Sequence, residues 1–336
     1  MTDGSRTVDG PGAGAADGPG AARRAVIVAG ALGEGTVITA SVRLPGGASR
    51  ETWALDAVDS AGVTRELVLR LDSPGSPPGA GIGLAREAAL MRAAATAGVP
   101  VPRILSAGDA HVLMARVAGE TIPRKILRDE AFAAARPRLA ARCGEILAAI
   151  HRMPLSCLPP GPGPQAVPDD PLTTWRDLLD LTGQPHPVFE LAFRRLAASR
   201  PASGRTTVVH GDFRNGNLII GPEGVRAVLD WELAHAGDPM EDLGWLCAKP
   251  WRFGSLPPVG GFGEYAELVG AYEKAGGHRV DPEALRWWEA FSVLKWGVIC
   301  VMQAMRHLSA GARSVELAAI GRRVCETEWD LLRLLR

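Results

Sequence analysis

The stretch Val208–Ile220, VVHGDFRNGNLII, sets His210, Asp212, Arg214, Asn215 and Asn217 between two short apolar runs, with two glycines among them. His210, Asp212 and Asn217 fit the spacing H-x-D-x-x-x-x-N, and a second carboxylate, Asp230, closes the run AVLD that follows the turn GPEG. Placed on adjacent strand ends, Asp212, Asn217 and Asp230 would converge as three oxygen-bearing side chains. Hard oxygen ligands in small number, completed by phosphates and water, suit Mg²⁺. Phosphoryl transfer asks for this division of labour. One carboxylate positions the attacking hydroxyl and takes its proton, while an amide and a second carboxylate hold magnesium on the nucleotide phosphates. Asp212 is the candidate base, and Asn217 and Asp230 are the candidate metal ligands. The bland alternative is a hairpin whose Asp and Asn satisfy their own backbone. A lone His-x-Asp pair would not argue against it, but the Asp-x4-Asn spacing with Asp230 beyond a hairpin does.

The elements that would carry these residues can be read along the chain. Residues 1–22 are mostly Gly, Ala, Asp and Pro and read as a disordered tail. TVITASVRL, ETWALDAVD and TRELVLRLD predict three antiparallel strands, the first two joined by the glycine loop PGGASR. GLAREAALMRAAATAG predicts a helix ended by Gly98, and PRILSA and HVLMARV predict two further strands. A helix from Arg136 to Arg152 and the proline-rich loop MPLSCLPPGPGPQAVPDDP follow. Further helices are predicted over 171–182, 187–199, 238–247, 263–275, 281–308 and 312–336, interrupted by the strands that flank the polar loop and by VRAVLD. The fold class is α+β. A small β lobe with one helix, residues 23–117, precedes a larger and mainly helical lobe, residues 118–336. The space between such lobes is a common ligand site.

The 336 residues carry 37 Lys and Arg against 37 Asp and Glu, so no net field recruits nucleic acid or an anionic membrane. Five scattered cysteines without a Cys-x-x-Cys spacing argue against a disulfide framework or a zinc site and fit a reducing cytoplasm. The apolar run Trp296–Met305 is too short to span a bilayer. Arg23-Arg24 before AVIVAGALG has the look of a twin-arginine export signal. Glu34 cuts that run short and no small-residue cleavage site stands out, so a cytoplasmic location is expected. A monomer and a homodimer are equally compatible with the sequence.

VVHGDFRNGNLII and AVLDWELAHAGDPMEDLGWLC resemble the two signature motifs of the aminoglycoside phosphotransferase/choline kinase-like family, and the resemblance extends from about Thr36 to the end of the chain. It implies a two-lobed, protein kinase-like fold, a nucleoside triphosphate donor (ATP or GTP) and Mg²⁺. PGGASR, with Ser49 and Arg50, occupies the place of the loop over the nucleotide phosphates. ELVLRL looks like the strand that usually presents a Lys; here Arg70 stands there, with Val68 on the same face by strand alternation. LAREAALMRAAATAGVPVPRIL looks like the helix bearing the Glu partner, Glu87. HVLMARVAGE is similar to the strand and hinge along which adenine lies, which implicates Met114, Arg116 and Val117. Arg70 can pair with Glu87 and meet phosphate oxygens bidentately, though a planar guanidinium is no drop-in replacement for an ammonium. Arg214 matches a position that places a cation near the transferred phosphoryl group, where it would stabilise developing charge. The resemblance gives His210 a structural part and has Asp242 hold the loop from behind. Asp238, before Pro239, suits a helix start. His235 reads as packing, and Trp287-Trp288 is a weak pointer to a platform for an acceptor ring.

GGASRETW, LDWELAHAGDP and WRFG are most similar to a bacterial branch akin to the kinase domains fused to acyl-CoA dehydrogenases in animal proteins. That resemblance implies a hydroxyacyl-CoA acceptor, ranked level with another small hydroxylated metabolite. Aminoglycoside or macrolide antibiotics rank lower: Trp251–Arg336 holds ten acidic against eleven basic residues, not the acidic excess that a polycationic acceptor favours. The intact Asp212, Asn217 and Asp230 set argues against a pseudokinase without turnover. Asp230 is followed by Trp231-Glu232 rather than Phe-Gly, which argues against a protein kinase.

Overall fold

The structure is a computed structural model that describes residues 20–44, 50–72, 83–158, 170–202, 205–309 and 314–336. Ser49, the tail 1–19 and most of the proline-rich loop lie outside the described residues. The chain divides into two compact units: the first runs to Ala88 and adds Pro102–Arg116, and the second takes Ala89–Val101 and Val117–Arg336.

The first unit is an antiparallel sheet in the order β1-β2-β3-β5-β4, built from β1 (Val37–Leu44), β2 (Arg50–Val58), β3 (Thr64–Asp72), β4 (Ile104–Gly108) and β5 (His111–Ala115). Alternation along β3 buries Leu67, Leu69 and Leu71 on one face and turns Val68 and Arg70 to the other. The apolar face joins Leu55, Ala57 and Leu113 in a core that Val28 completes. Val28 belongs to α1 (Ala21–Leu32), a helix where the sequence suggested only an export-like apolar run. Ile27, Val28, Ala31 and Leu32 recur at helical spacing and pack on the sheet, and the Arg24 guanidinium lies 4.0 Å from the centre of the Trp53 ring. The run is thus the cover of the sheet. On the chain between β3 and β4 comes α2 (Leu84–Thr96), whose first turn carries Glu87.

The second unit holds α3 (Pro123–Arg128), α4 (Arg136–His151), α5 (Pro171–Asp180), α6 (Pro187–Ala198), four short strands, and then α7 (Met240–Cys247), α8 (Tyr265–Lys274), α9 (Pro282–Ser309), α10 (Val315–Gly321) and α11 (Val324–Leu334). The strands are β6 (Thr207–Val209), β7 (Leu218–Gly221), β8 (Gly224–Val228) and β9 (His235–Gly237). The apolar flanks of the polar loop do not pair with each other: β6 pairs with β9, and β7 with β8. The loop therefore bridges two separate ribbons. The single helix expected over 312–336 is two helices, α10 and α11. Gly321 closes α10 where an added Cβ would lie 2.7 Å from the Ala304 side chain of α9. No described helix is long and apolar enough to cross a membrane.

Candidate active site

The loop between β6 and β7 is fixed from below by α7. Asp242, fully buried, accepts hydrogen bonds from the backbone N–H groups of His210 (2.8 Å) and Gly211 (2.9 Å) and from His151 Nε2 (3.1 Å). Burial works to raise the Asp242 pKa, but the bond and charge of His151 and the proximity of His210 outweigh it, and the pKa lies below the ordinary value. His151 on α4 is held in turn by the Tyr272 hydroxyl at 2.8 Å. Gly211 has φ +81, and an added Cβ would meet the Leu233 carbonyl oxygen at 2.5 Å, so the chain passes where no side chain fits. Lys295 of α9 reaches the Gly211 carbonyl (3.4 Å) and Glu241 (3.2 Å), and its ammonium lies 4.6 Å from the Trp245 ring centre. Glu241 also meets His235 Nε2 at 3.1 Å. Burial alone would raise the Glu241 pKa, yet Lys295 and His235 bring it down to about 2. His235 moves the other way: burial lowers its pKa, but Glu241 and the Leu233 carbonyl raise it further.

Above the loop stands Asp212, with a side chain 15% exposed. Its Oδ1 accepts from Arg214 Nε (3.0 Å) and Trp245 Nε1 (2.7 Å), and its Oδ2 from Asn217 Nδ2 (2.6 Å). The Arg214 guanidinium carbon lies 4.5 Å from the centre of the Trp251 ring. At Gly216, φ +118, an added Cβ would lie 2.7 Å from Arg214 Nη1, so glycine there leaves the guanidinium its place. His210, also fully buried, accepts from Asp212 N at Nδ1 (3.2 Å) and donates from Nε2 to the Leu229 carbonyl (3.0 Å), which makes it a spacer between loop and hairpin.

That spacer bears on Asp230. Leu229 donates its N–H to the Asn217 carbonyl at 2.8 Å while its own carbonyl takes His210 Nε2. Asp230 is thus the residue that follows a position bonded on both sides to the loop over 210–217. It adopts a left-handed backbone (φ 66, ψ 59), which only one other described non-glycine residue, Phe253, shares. Such a conformation costs free energy and is found where the surroundings demand it. Trp231, fully buried and donating to the Val228 carbonyl (3.2 Å), anchors the turn. Among the described residues no three His, Cys, Asp or Glu side chains form a metal cluster. The available donors are an amide oxygen and a carboxylate, a set that fits a Mg²⁺ ion shared with phosphates rather than a closed protein cage.

In the first unit, Glu87 is 1% exposed and accepts from two arginines, Arg50 (2.8 Å) and Arg70. Arg50 also approaches Asp72 at 3.4 Å. Val68 faces Met114 across the β3–β5 ladder, so those two side chains share a face of the sheet. Arg116 stands apart, paired with Asp56 (2.8 Å) and Glu66. Val117 is the first residue after the break between units. Trp287 and Trp288 are buried, with Trp287 stacked on Phe291 and bonded to the Leu196 carbonyl (2.9 Å). They are core rather than platform. Trp245 and Trp251 lie beside Asp212 and Arg214 of the loop, and Trp231 lies against His210 with ring centres 4.7 Å apart. Trp245 lies three residues after Asp242 on α7, the helical spacing that sends both side chains toward one loop.

The sequence pattern of the phosphotransferase enzyme family matches residues 41–288, most of the chain. The chain belongs to that family. It is a phosphotransferase of the small-molecule kinase type. Acyl-CoA dehydrogenase family member 10 of Mus musculus is 31% identical over 232 residues, covering 64% of this chain and 21% of that protein. The chain thus spans about a fifth of the length of that curated relative. A candidate aminoglycoside phosphotransferase from Ralstonia eutropha superposes with a TM-score of 0.69 at 22% identity, over 93% of this chain and 98% of that one. A spectinomycin phosphotransferase in complex with ADP and spectinomycin superposes with a TM-score of 0.62 at 13% identity, over 92% and 98%. These likenesses establish the kinase-like fold.

Proposed function

We propose that this phosphotransferase moves the γ-phosphate of ATP, or of GTP, to the hydroxyl of a small molecule, with Asp212 as base. The observation that carries the reading is the Asp212 carboxylate, met by Arg214, Asn217 and Trp245 on a loop whose backbone Asp242 holds from below. In the reaction, Asp212 takes the alcohol proton as the alcohol oxygen bonds to the γ-phosphorus. The bond from that phosphorus to the β,γ-bridging oxygen breaks, and the nucleoside diphosphate leaves. Arg214 offsets negative charge on the transferring group. Asn217 and Asp230 would hold Mg²⁺, which supplies charge compensation on the phosphates when bound. Arg50, Arg70, Glu87, Val68, Met114 and Val117 form the nucleotide side, with Arg70 and Glu87 as its ion pair; Arg116 serves there through the sheet rather than through phosphate. The bound ADP of the spectinomycin enzyme supports a nucleotide donor.

For the acceptor, the acyl-CoA dehydrogenase relative supports a hydroxyacyl-CoA, alongside other hydroxylated metabolites. A cytoplasmic site of action fits such a substrate. The test is an Mg²⁺-dependent assay of nucleoside diphosphate release across hydroxyacyl-CoAs, amino alcohols, aminoglycosides and macrolides, with product mass to identify the phosphorylated hydroxyl. Phosphorylation of at least one acceptor is expected. Nucleotide binding with no turnover on any would favour a pseudokinase.

A further inference from the structure

A groove of about 1270 Å³ opens on the second unit between α3, the chain after α7, and α11. One of its lining residues lies beside the loop over 210–217: an added Cβ on Gly216 would lie 2.7 Å from Arg214 Nη1 and 3.7 Å from Pro123 Cγ, and Pro123 lines the groove. Trp251, under the Arg214 guanidinium, is followed by Arg252, another lining residue. The groove is larger than a compact metabolite needs.

Its charge is one-sided. Arg124, Arg128, Lys249, Arg252 and Arg323 line it, against Glu326 and Asp330. Both carboxylates are engaged, Asp330 by Lys249 and Glu326 by Arg323 (3.0 Å), and Arg252 is paired with Glu289 (2.6 Å). Among the described residues, no hydrogen bond or ion pair engages Arg124 or Arg128, four positions apart and so on one face of α3. Three large apolar lining residues are left exposed: Ile122 at 48%, Leu256 at 92% and Trp329 at 57%. An extended site with apolar walls and two uncommitted guanidinium groups suits a ligand with an apolar arm and a dianion. Two guanidinium groups match the charge of a phosphate monoester near neutral pH, and not that of a single carboxylate or of a polycation.

We infer that this groove receives the acceptor and that Arg124 and Arg128 select one bearing a phosphate remote from its reacting hydroxyl. The inference rests on the reading of Asp212 as the phosphoryl-transfer base. Its test measures binding alone, so the two can fail separately. Pantetheine and 4′-phosphopantetheine share a hydroxyl-bearing arm and differ by one terminal phosphate monoester. Titration of each, followed by quenching of tryptophan fluorescence, is expected to show 4′-phosphopantetheine at least tenfold tighter, with an advantage that shrinks as salt is added. In the double variant Arg124→Glu/Arg128→Glu that preference should fall below about twofold, while the charge reversal Lys274→Glu on α8, outside the groove lining, keeps it. Melting curves of both variants check folding, and the milder pair Arg124→Gln/Arg128→Gln, with an intermediate loss of preference, keeps the test valid if charge reversal disturbs the fold. Equal binding of the two probes, or a preference that survives loss of both arginines, overturns the inference. Retained discrimination in binding without phosphorylation of any thioester would instead leave the groove standing and count against the phosphotransfer reading.

Discussion

The loop over residues 210–217 has two sides, and they are built differently. Below it, Asp242 accepts from two backbone N–H groups and His151 in a fully buried setting, and Lys295, Glu241 and His235 extend that layer. Above it, Asp212 accepts among the described residues only from side chains and keeps part of its surface open. Two aspartates thirty residues apart thus divide one task. Backbone donors cannot leave without unfolding the loop, so Asp242 fixes where the loop is. Side-chain donors can swing to a substrate or a metal, so Asp212 is poised without being locked. A group that must exchange partners during a reaction belongs on the second side.

The comparison breaks most sharply if the two aspartates respond alike to substitution. Asp212→Asn keeps the volume of the side chain but removes the proposed base, and kcat is expected to fall by about 10³-fold. Nucleotide affinity measured by calorimetry and the melting temperature should hardly move. Asp242→Ala should do the reverse in kind: two buried N–H groups and His151 lose their acceptor, for a loss of about 3–5 kcal/mol in urea unfolding. Activity would then fall with the folded fraction. An Asp242→Ala protein as stable as the parent would refute the division.

A smaller effect follows from pH. The Glu241 pKa is depressed from 4.5 to about 2, so its contribution to stability is complete above pH 4.5 and lost as pH falls through about 2. At most this is roughly 3 kcal/mol. Urea midpoints should drop across that interval, and Glu241→Gln should flatten the drop while lowering stability at neutral pH, where Lys295 loses its counter-charge. His235, with a raised pKa, contributes in the opposite sense: its stabilisation is full below pH 6.5 and fades as pH rises through the higher folded value. A parent protein with no acid limb between pH 4.5 and 2 would show that the lower layer is not held by charge.

Much of the upper side was legible in the sequence because it is local. Asp212, Arg214 and Asn217 lie within six residues, and the hairpin that delivers Asp230 follows at once. Strand alternation likewise put Arg70 on the face opposite the leucines, and the family resemblance implied its pairing with Glu87, which the structure shows. The lower side was legible only at Asp242 itself. His151 and Lys295 come from α4 and α9, and contacts of such long range leave no mark in spacing. In α1 the β-branched residues and Gly30 weaken the helical signal, and the sheet it covers supplies what propensity lacks. Trp287 and Trp288 misled for a related reason: an aromatic pair on a helix looks the same whether it faces core or cleft, and only α6 and Phe291 decide it.

The finest test of the comparison is Trp245, which touches both sides: its indole N–H donates to Asp212 from above, and its ring faces the Lys295 ammonium below. Trp245→Phe keeps a ring for Lys295 and removes only the donor. If the bond orients the base, kcat should fall about tenfold, as one hydrogen bond to a charged group allows, with KM nearly unchanged. Trp245→His, which retains a ring N–H, should recover part of the loss. If Trp245 merely fills space, both variants should lose stability and activity in proportion to the volume removed, and histidine, the smaller ring, should be the worse of the two. The rank order of phenylalanine and histidine in kcat therefore separates orientation from packing without reference to the size of either effect.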